Sequence, residues 1–184
     1  DELKLRLEGI PFHRTGLIYP DGVFKPQHVV EPYDLLDGRH TFYRCIDPGW
    51  RACGCIWVAI NAKGDKFTIY RDYIGEQRTI SANCQAINSM GREVYAQTYM
   101  DPFACERTHE HSGERTIDIF NTHGTNATPA PKVDIIPGID VVKELLGTRS
   151  GVDGEGFKFE VFCTCEQFLQ ERRNYRWKVV TERG

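Results

Sequence analysis

Cys45-Ile46-Asp47-Pro48-Gly49-Trp50-Arg51, running on into Cys53-Gly54-Cys55-Ile56-Trp57-Val58-Ala59-Ile60, is the stretch from which the architecture unfolds. Thr41 to Asp47 predicts a strand that ends on an acidic residue, because Pro48 lacks a backbone donor and Gly49 admits a sharp turn. Cys53 to Ile60 is apolar and rich in β-branched and aromatic side chains, which predicts a second strand. Asn61-Ala62-Lys63-Gly64-Asp65 predicts a hairpin turn, with Gly64 able to take positive φ. Lys66 to Tyr73 alternates with period two as a third strand, so three consecutive antiparallel strands are expected.

Downstream, Thr79 to Met90 places Ile80, Cys84 and Ile87 at helical spacing and stops at Gly91. Val94 to Met100 is strand-like and runs into Asp101-Pro102. A helix between the third and fourth strands permits a crossover, which lays the fourth strand parallel to the first. Helices are further expected over Glu114 to His123, Ile139 to Leu146 and Glu166 to Tyr175, and strands near Asn126 to Lys132, over Phe157 to Cys163 and from Trp177 to Val180. The expected class is α/β, a mixed β-sheet flanked by helices. Upstream, Pro11, Gly16, Pro20, Gly22, Pro26 and Pro32 break residues 1–40 into short pieces, an extended arm or linker remnant ahead of a domain spanning 41–184.

A chain of 184 residues with 27% charged residues suits one globular domain. No run reaches the roughly 18 apolar residues of a membrane span, and Asp1-Glu2-Leu3-Lys4 lacks a signal-peptide pattern, so an intracellular protein is expected. The formal charge of −3 gives no global sign of a nucleic-acid binder, but local patches decide that question. Seven cysteines are an odd number, and Cys45, Cys53, Cys55 and Cys163 sit inside apolar strand-like runs, which points to reduced core thiols.

Two strands each end in Asp-Pro: Asp47-Pro48 and Asp101-Pro102. If the first and fourth strands lie side by side and parallel, both carboxylates fall at one sheet edge, with strands about 4.8 Å apart. Two such charges at roughly 4 Å repel by about 4 kcal/mol at an effective dielectric near 20. Divalent cations remove the conflict, since hard oxygen ligands suit Mg²⁺ or Mn²⁺ and a carboxylate can bridge two ions. A two-ion centre is suited to phosphodiester hydrolysis. The alternative is a turn opening, where Asp bonds nearby backbone and Pro sets φ.

The segment Cys45 to Arg51, continuing through Ile56-Trp57-Val58-Ala59, Asn61 to Asp65 and Asp72-Tyr73, resembles the nuclease domain of the large terminase subunit of tailed bacteriophages. Met100-Asp101-Pro102, Gly138-Ile139 before Leu145-Leu146, and Cys165 before Glu171 and Tyr175-Arg176-Trp177 continue the likeness, as do Tyr19-Pro20 and His28-Val29-Val30 upstream. It covers nearly the whole chain. Each motif is weak alone; their order and spacing carry the resemblance. It implies a ribonuclease H-like (resolvase-like) fold and a Mg²⁺- or Mn²⁺-dependent endonuclease, a hydrolase that cleaves concatemeric double-stranded viral DNA during genome packaging with two metal ions. It also implies partners: double-stranded DNA, an ATPase motor domain preceding the nuclease in the parent chain, the small terminase subunit and the portal, in the host cell cytoplasm. Asp47 resembles the family's first metal ligand, expected to bridge both ions, and Asp101 the second.

Two departures stand out. The family's third acidic ligand lies on an Asp-His…Asp-Ala-Leu-Arg-Tyr-like helix, and nothing of that kind follows Trp177, so this ligand is expected beyond Gly184, the alternative being that another residue replaces it. The sequence also lacks a Gly-x-x-x-x-Gly-Lys-Ser/Thr phosphate loop, so the motor is expected in a separate part of the protein.

Other candidates are weaker. Cys105, His109 and His111 cluster without the paired knuckles of a zinc site, and the histidines are expected in an exposed loop. Asp65 suits the hairpin, Asp72 a supporting place near the metals, Asp134 and Asp140 a helix start, and Asp153 and Glu155 a solvated loop. Lys63, Lys66, Arg71 and Arg78 are candidates for a phosphate-binding rim, and Trp57 for the core. Two rival functions share the fold: a resolvase- or transposase-type hydrolase, and a catalytically inactive module that binds DNA or a partner.

Overall fold

The computed structural model describes residues 16–49, 51–108, 113–149 and 156–177. Its strands are β1 (Val29–Val30), β2 (His40–Pro48), β3 (Ala52–Asn61), β4 (Phe67–Glu76), β5 (Tyr95–Met100), β6 (Ala127–Pro129) and β7 (Phe159–Phe162). Its helices are α1 (Ile80–Ser89), α2 (Pro102–Cys105), α3 (Thr116–Thr122), α4 (Ile135–Gly147) and α5 (Glu166–Asn174). The strands form one sheet in the order β1-β7-β4-β3-β2-β5-β6. β2, β3 and β4 are consecutively antiparallel, and β5 lies parallel to β2, the topology expected from the sequence.

Alternation along the central strands sorts the sheet into two faces. Cys53, Cys55, Trp57 and Ala59 of β3 are buried, as are Arg44 and Ile46 of β2 and Thr98 and Met100 of β5. Register pairs Arg44 with Trp57 and Thr98, and Ile46 with Cys55 and Met100, so all point the same way. α1 and α3 close this face with Cys84, Ile87, Ile117 and Phe120. Trp57 is fully buried in that core, with its indole N–H donating to Tyr95. The opposite face, carrying Cys45, Asp47, Gly54, Ile56 and Tyr99, is covered less and faces an open cleft.

The Arg44 guanidinium is a buried charge set between sheet and helices. It donates to Thr98 Oγ1 at 3.1 Å, Asn88 Oδ1 at 3.0 Å and the Thr125 carbonyl at 2.8 Å, and stacks 4.5 Å from the Tyr95 ring centroid. A buried charge is tolerated only when so satisfied. The contacts tie β2 to β5, α1 and the turn before β6.

The segment read as an arm runs along the domain. Ile18, Phe24, His28 and Leu35 are buried, and β1 adds a parallel edge strand to β7. The His28 ring accepts the Lys25 N–H at Nδ1 (2.8 Å) and donates from Nε2 to the Leu146 carbonyl (2.8 Å), fixing this segment to the end of α4. Tyr33 and Thr68 both hydrogen-bond Glu160, whose other oxygen lies 2.9 Å from Lys66 Nζ.

Several boundaries differ from expectation. α4 begins at Ile135, four residues before the expected Ile139, because Pro137 falls in the first helical turn, where its missing N–H costs nothing. β6 is only Ala127–Pro129, since Pro129 and Pro131 cannot donate to a longer ladder. β7 is likewise shorter than Phe157 to Cys163. Of the strand expected from Trp177 to Val180, the Trp177 N–H donates to the Gly16 carbonyl, and the rest lies outside the described residues, as does the loop from Gly151 to Glu155. Among the described residues no helix is long and apolar enough to cross a membrane.

Candidate functional site

Parallel pairing of β2 and β5 sets Ile46 beside Met100, so the next residue of each strand, Asp47 and Asp101, emerges at the same sheet edge and on the same face. The Asp101 N–H donates to the Ile46 carbonyl at 3.0 Å, which extends the ladder up to the two carboxylates. The turn behind each aspartate holds it there. After Asp47 the chain reverses at once: the Gly49 N–H bonds the Asp47 carbonyl at 3.0 Å, and a Cβ on Gly49 would meet the Ala52 carbonyl oxygen at 2.5 Å. Only glycine fits that approach. After Asp101, Pro102 occupies the first position of α2, and the Asp101 side chain accepts the Phe103 N–H at 2.7 Å.

The turn reading of Asp-Pro therefore describes one carboxylate oxygen of Asp101. The Asp47 carboxylate differs: among the described residues no donor hydrogen-bonds it and no cation lies within ion-pair distance. Its surroundings raise its pKa above the ordinary carboxylate value, first through burial of part of the group and then through the charge of Asp101, with Arg107 opposing. An acid facing another acid without a partner is poor structural design and good cation-binding design.

Both aspartates border an open cleft of about 520 Å³ on the less covered face. Gly54, the register partner of Asp47, forms its floor, and a Cβ there would meet nothing within 4 Å. The far wall is α5, with Phe168 and Glu171. Asp72 lines the same cleft, but its Oδ2 accepts the Phe168 N–H at 2.7 Å and so caps the start of α5. Burial, partly offset by these amide hydrogen bonds, raises its pKa.

Two hard oxygen donors at neighbouring strand ends fit Mg²⁺ or Mn²⁺, because Mg²⁺ in particular keeps several waters and takes one or two carboxylates from protein. Among the described residues no group of three or more His, Cys, Asp and Glu could hold an ion. Asp47 and Asp101 are the acidic pair that the described residues bring together there.

The remaining candidates are dispersed. Asp65 stays in the β3–β4 hairpin, accepting from Asn61 Nδ2 at 2.8 Å. Asp134 stands at the start of α4 and Asp140 within it. Lys63 and Lys66 do not form a rim to the acidic pair, since the hairpin carrying them lies at the opposite sheet edge, beside His40 and Asn61. Arg71 is bound by Glu93 at 2.9 and 3.2 Å. Arg78 is exposed ahead of α1. His109, His111, Asp153 and Glu155 lie outside the described residues. Arg107, which sequence reasoning missed, is the cation that reaches Asp47 electrostatically. Its signal was available: it follows Asp101 by one short Pro-initiated turn.

No family model and no curated protein matches the sequence. Solved structures do match the fold. The nuclease domain of the phage P22 large terminase superposes with a TM-score of 0.64 at 20% identity, covering 86% of this chain and 78% of that one. A large terminase from a thermophilic bacteriophage gives a TM-score of 0.64 at 15% identity over 93% of this chain, which spans only 40% of that protein. The large terminase nuclease domain of bacteriophage SPP1, solved with bound Mn, gives 0.56 at 12% identity, covering 79% and 76%. The fold is that of phage large terminase nuclease domains, the ribonuclease H-like class, over most of the chain.

Proposed function

We propose that this domain is a divalent-cation-dependent endonuclease that cuts double-stranded DNA, in the setting of concatemeric viral genomes cleaved during packaging. The observation that carries the proposal is the convergence of Asp47 and Asp101 at one edge of the sheet, with no hydrogen-bond or ion-pair partner for the Asp47 carboxylate among the described residues. The likeness in fold to phage terminase nucleases, one of them holding Mn, supports it.

A pair of Mg²⁺ or Mn²⁺ ions would supply Lewis-acid polarisation of the phosphodiester and a water nucleophile active at neutral pH. Asp47, level with Asp101 and not hydrogen-bonded by any donor among the described residues, would hold the ions together with the Asp101 oxygen not used in capping α2. Gly54 keeps the floor beside Asp47 clear for the DNA backbone. No motif of the sequence suggests base readout, and cutting with little sequence preference belongs to the proposal. We place the nuclease at 41–184, with residues 16–40 of the preceding arm packed onto it and adding β1 to its sheet. Its parent protein carries an ATPase motor ahead of it and works with a small terminase subunit and portal in the host cell cytoplasm. That this chain spans 40% of the thermophilic phage's large terminase accords with such a larger protein.

Plasmid nicking in Mn²⁺ tests the proposal. The parent chain is expected to nick and linearise supercoiled plasmid, and Asp47→Asn to lower the rate at least about a thousandfold, as expected when transition-state charge stabilisation is removed. Equal cutting by both proteins would refute the assignment. Preference for a four-way junction over linear duplex would move it to the resolvase type.

A further inference from the structure

Alternation along β5 turns Tyr99 away from the helical core. Its neighbours Thr98 and Met100 are buried on the face that α1 and α3 close, so Tyr99 stands on the opposite face. There it is half-buried and lines the cleft that holds Asp47 and Asp101. Register fixes its place further. Tyr99 pairs with Cys45, and each lies two residues ahead of an aspartate, one pleat behind the acidic pair on the cleft floor.

The cleft offers an anion few donors. Four carboxylates line it, from Asp47, Asp72, Asp101 and Glu171, and among the described lining residues there is no Lys, Arg or His. Of its two tyrosines, Tyr73 donates its hydroxyl to Asn83 Oδ1 at 2.7 Å. The Tyr99 hydroxyl has no hydrogen-bond partner among the described residues. A lysine or arginine at this place would pair with the aspartates and compete with the cations they suit. A phenol donates one hydrogen bond, carries no charge, and leaves both carboxylates free for metal.

Resting on the nuclease reading, we propose that the Tyr99 hydroxyl donates to a non-bridging oxygen of the scissile phosphate in the Asp47–Asp101 site. Two residues of strand span about 6.8 Å, comparable to the reach of a tyrosine side chain. A phosphodiester seated at the two aspartates therefore turns one oxygen toward the floor from which Tyr99 rises. Charge builds on that oxygen as water attacks, so the hydrogen bond strengthens in the transition state and acts on the rate more than on binding.

The test compares the parent chain with Tyr99→Phe and the control Tyr43→Phe. The control makes the same change on the same face, one pleat farther from the aspartates and outside the cleft. Single-turnover cutting of a short labelled duplex in Mn²⁺ is followed across duplex and salt concentrations. Tyr99→Phe is expected to lower the saturated rate about tenfold, the loss of one hydrogen bond to a charged group, with half-saturation unchanged. The salt slope should stay parental, since a neutral donor releases no counterion. Tm and calorimetric Mn²⁺ affinity should match the parent, and Tyr43→Phe should cut as the parent does. A readout independent of cutting is carbon NMR of Cζ-labelled tyrosine. In Ca²⁺, which lacks the paramagnetism of Mn²⁺, the line that Tyr99→Phe removes should shift where anisotropy shows duplex bound. An unchanged saturated rate, a loss shared by Tyr43→Phe, a loss that follows a lower Tm, or a Tyr99 line indifferent to bound duplex overturns the inference. The two failures are separable. A parent chain that neither binds nor cuts duplex sinks the nuclease reading and this inference together. A parent that cuts, falls silent with Asp47→Asn and is indifferent to Tyr99→Phe sinks this inference alone.

Discussion

Arg44 of β2 donates to Thr98 of β5 at 3.1 Å, and each of these register partners stands three positions ahead of an aspartate. Equal offset on parallel strands is what brings Asp47 level with Asp101, and the hydrogen bond sits inside the core that holds the two strands in that register. Structure beneath the acidic pair is thus continuous with the packing of the helical face.

Thr98→Val keeps the shape of the side chain and removes the acceptor of Arg44 Nε. Chemical denaturation should show a loss of about 1–2 kcal/mol, the cost of leaving a buried donor short of a partner. Arg44→Ala should cost more, since it also strips Asn88 and the Thr125 carbonyl of their donor.

Asp47 carries a prediction in metal-free protein. Its folded-state pKa is raised, so the folded chain holds a proton that the unfolded chain has released. Stability therefore falls as pH rises from the unfolded carboxylate value near 3.8 through the raised folded value, and stays at the lower level above it. Asp47→Asn should remove this decline and melt no lower than the parent at neutral pH in EDTA. Added Mn²⁺ at about 100-fold over its Kd should then stabilise the parent by about 2.7 kcal/mol and leave the variant unmoved.

His28 gives the opposite pH dependence. Burial lowers its pKa, with Lys25 and Arg149 adding to the effect against the hydrogen bonds to backbone carbonyls. The folded chain thus resists protonation, so stability is complete above the unfolded value near 6.5 and declines as pH falls below it. Urea midpoints from about pH 5 to 8 should show this decline in the parent. His28→Gln should flatten it while lowering stability at pH 8 by about 1–3 kcal/mol, through loss of the bond to the Leu146 carbonyl.

The sheet was legible because its strands announce themselves by alternation and by where they stop. Pro48-Gly49 and Pro102 end β2 and β5 just past an aspartate, and a helix between them forces the crossover, so the acidic pair follows from chain order. Pro137 misled the start of α4 because a proline reads as a break, whereas the first turn of a helix has no use for its N–H. The hairpin lysines, candidates that could equally just face water, lie far from the acidic pair because antiparallel pairing sends Lys63 and Lys66 to the other end of the strands. Arg107 was passed over although it follows Asp101 by one short Pro-initiated turn; the hydrogen bonds of its carbonyl with Thr116 fix the main chain there.

Anomalous diffraction from crystals soaked in Mn²⁺, recorded above and below the manganese edge, interrogates the acidic pair itself. A peak is expected between the Asp47 and Asp101 carboxylates, within about 2.0–2.3 Å of an oxygen of each, as hard divalent cations bind oxygen. Manganese absent from that edge of the sheet, or bound elsewhere with both carboxylates bare, would refute the metal centre and the nuclease built on it.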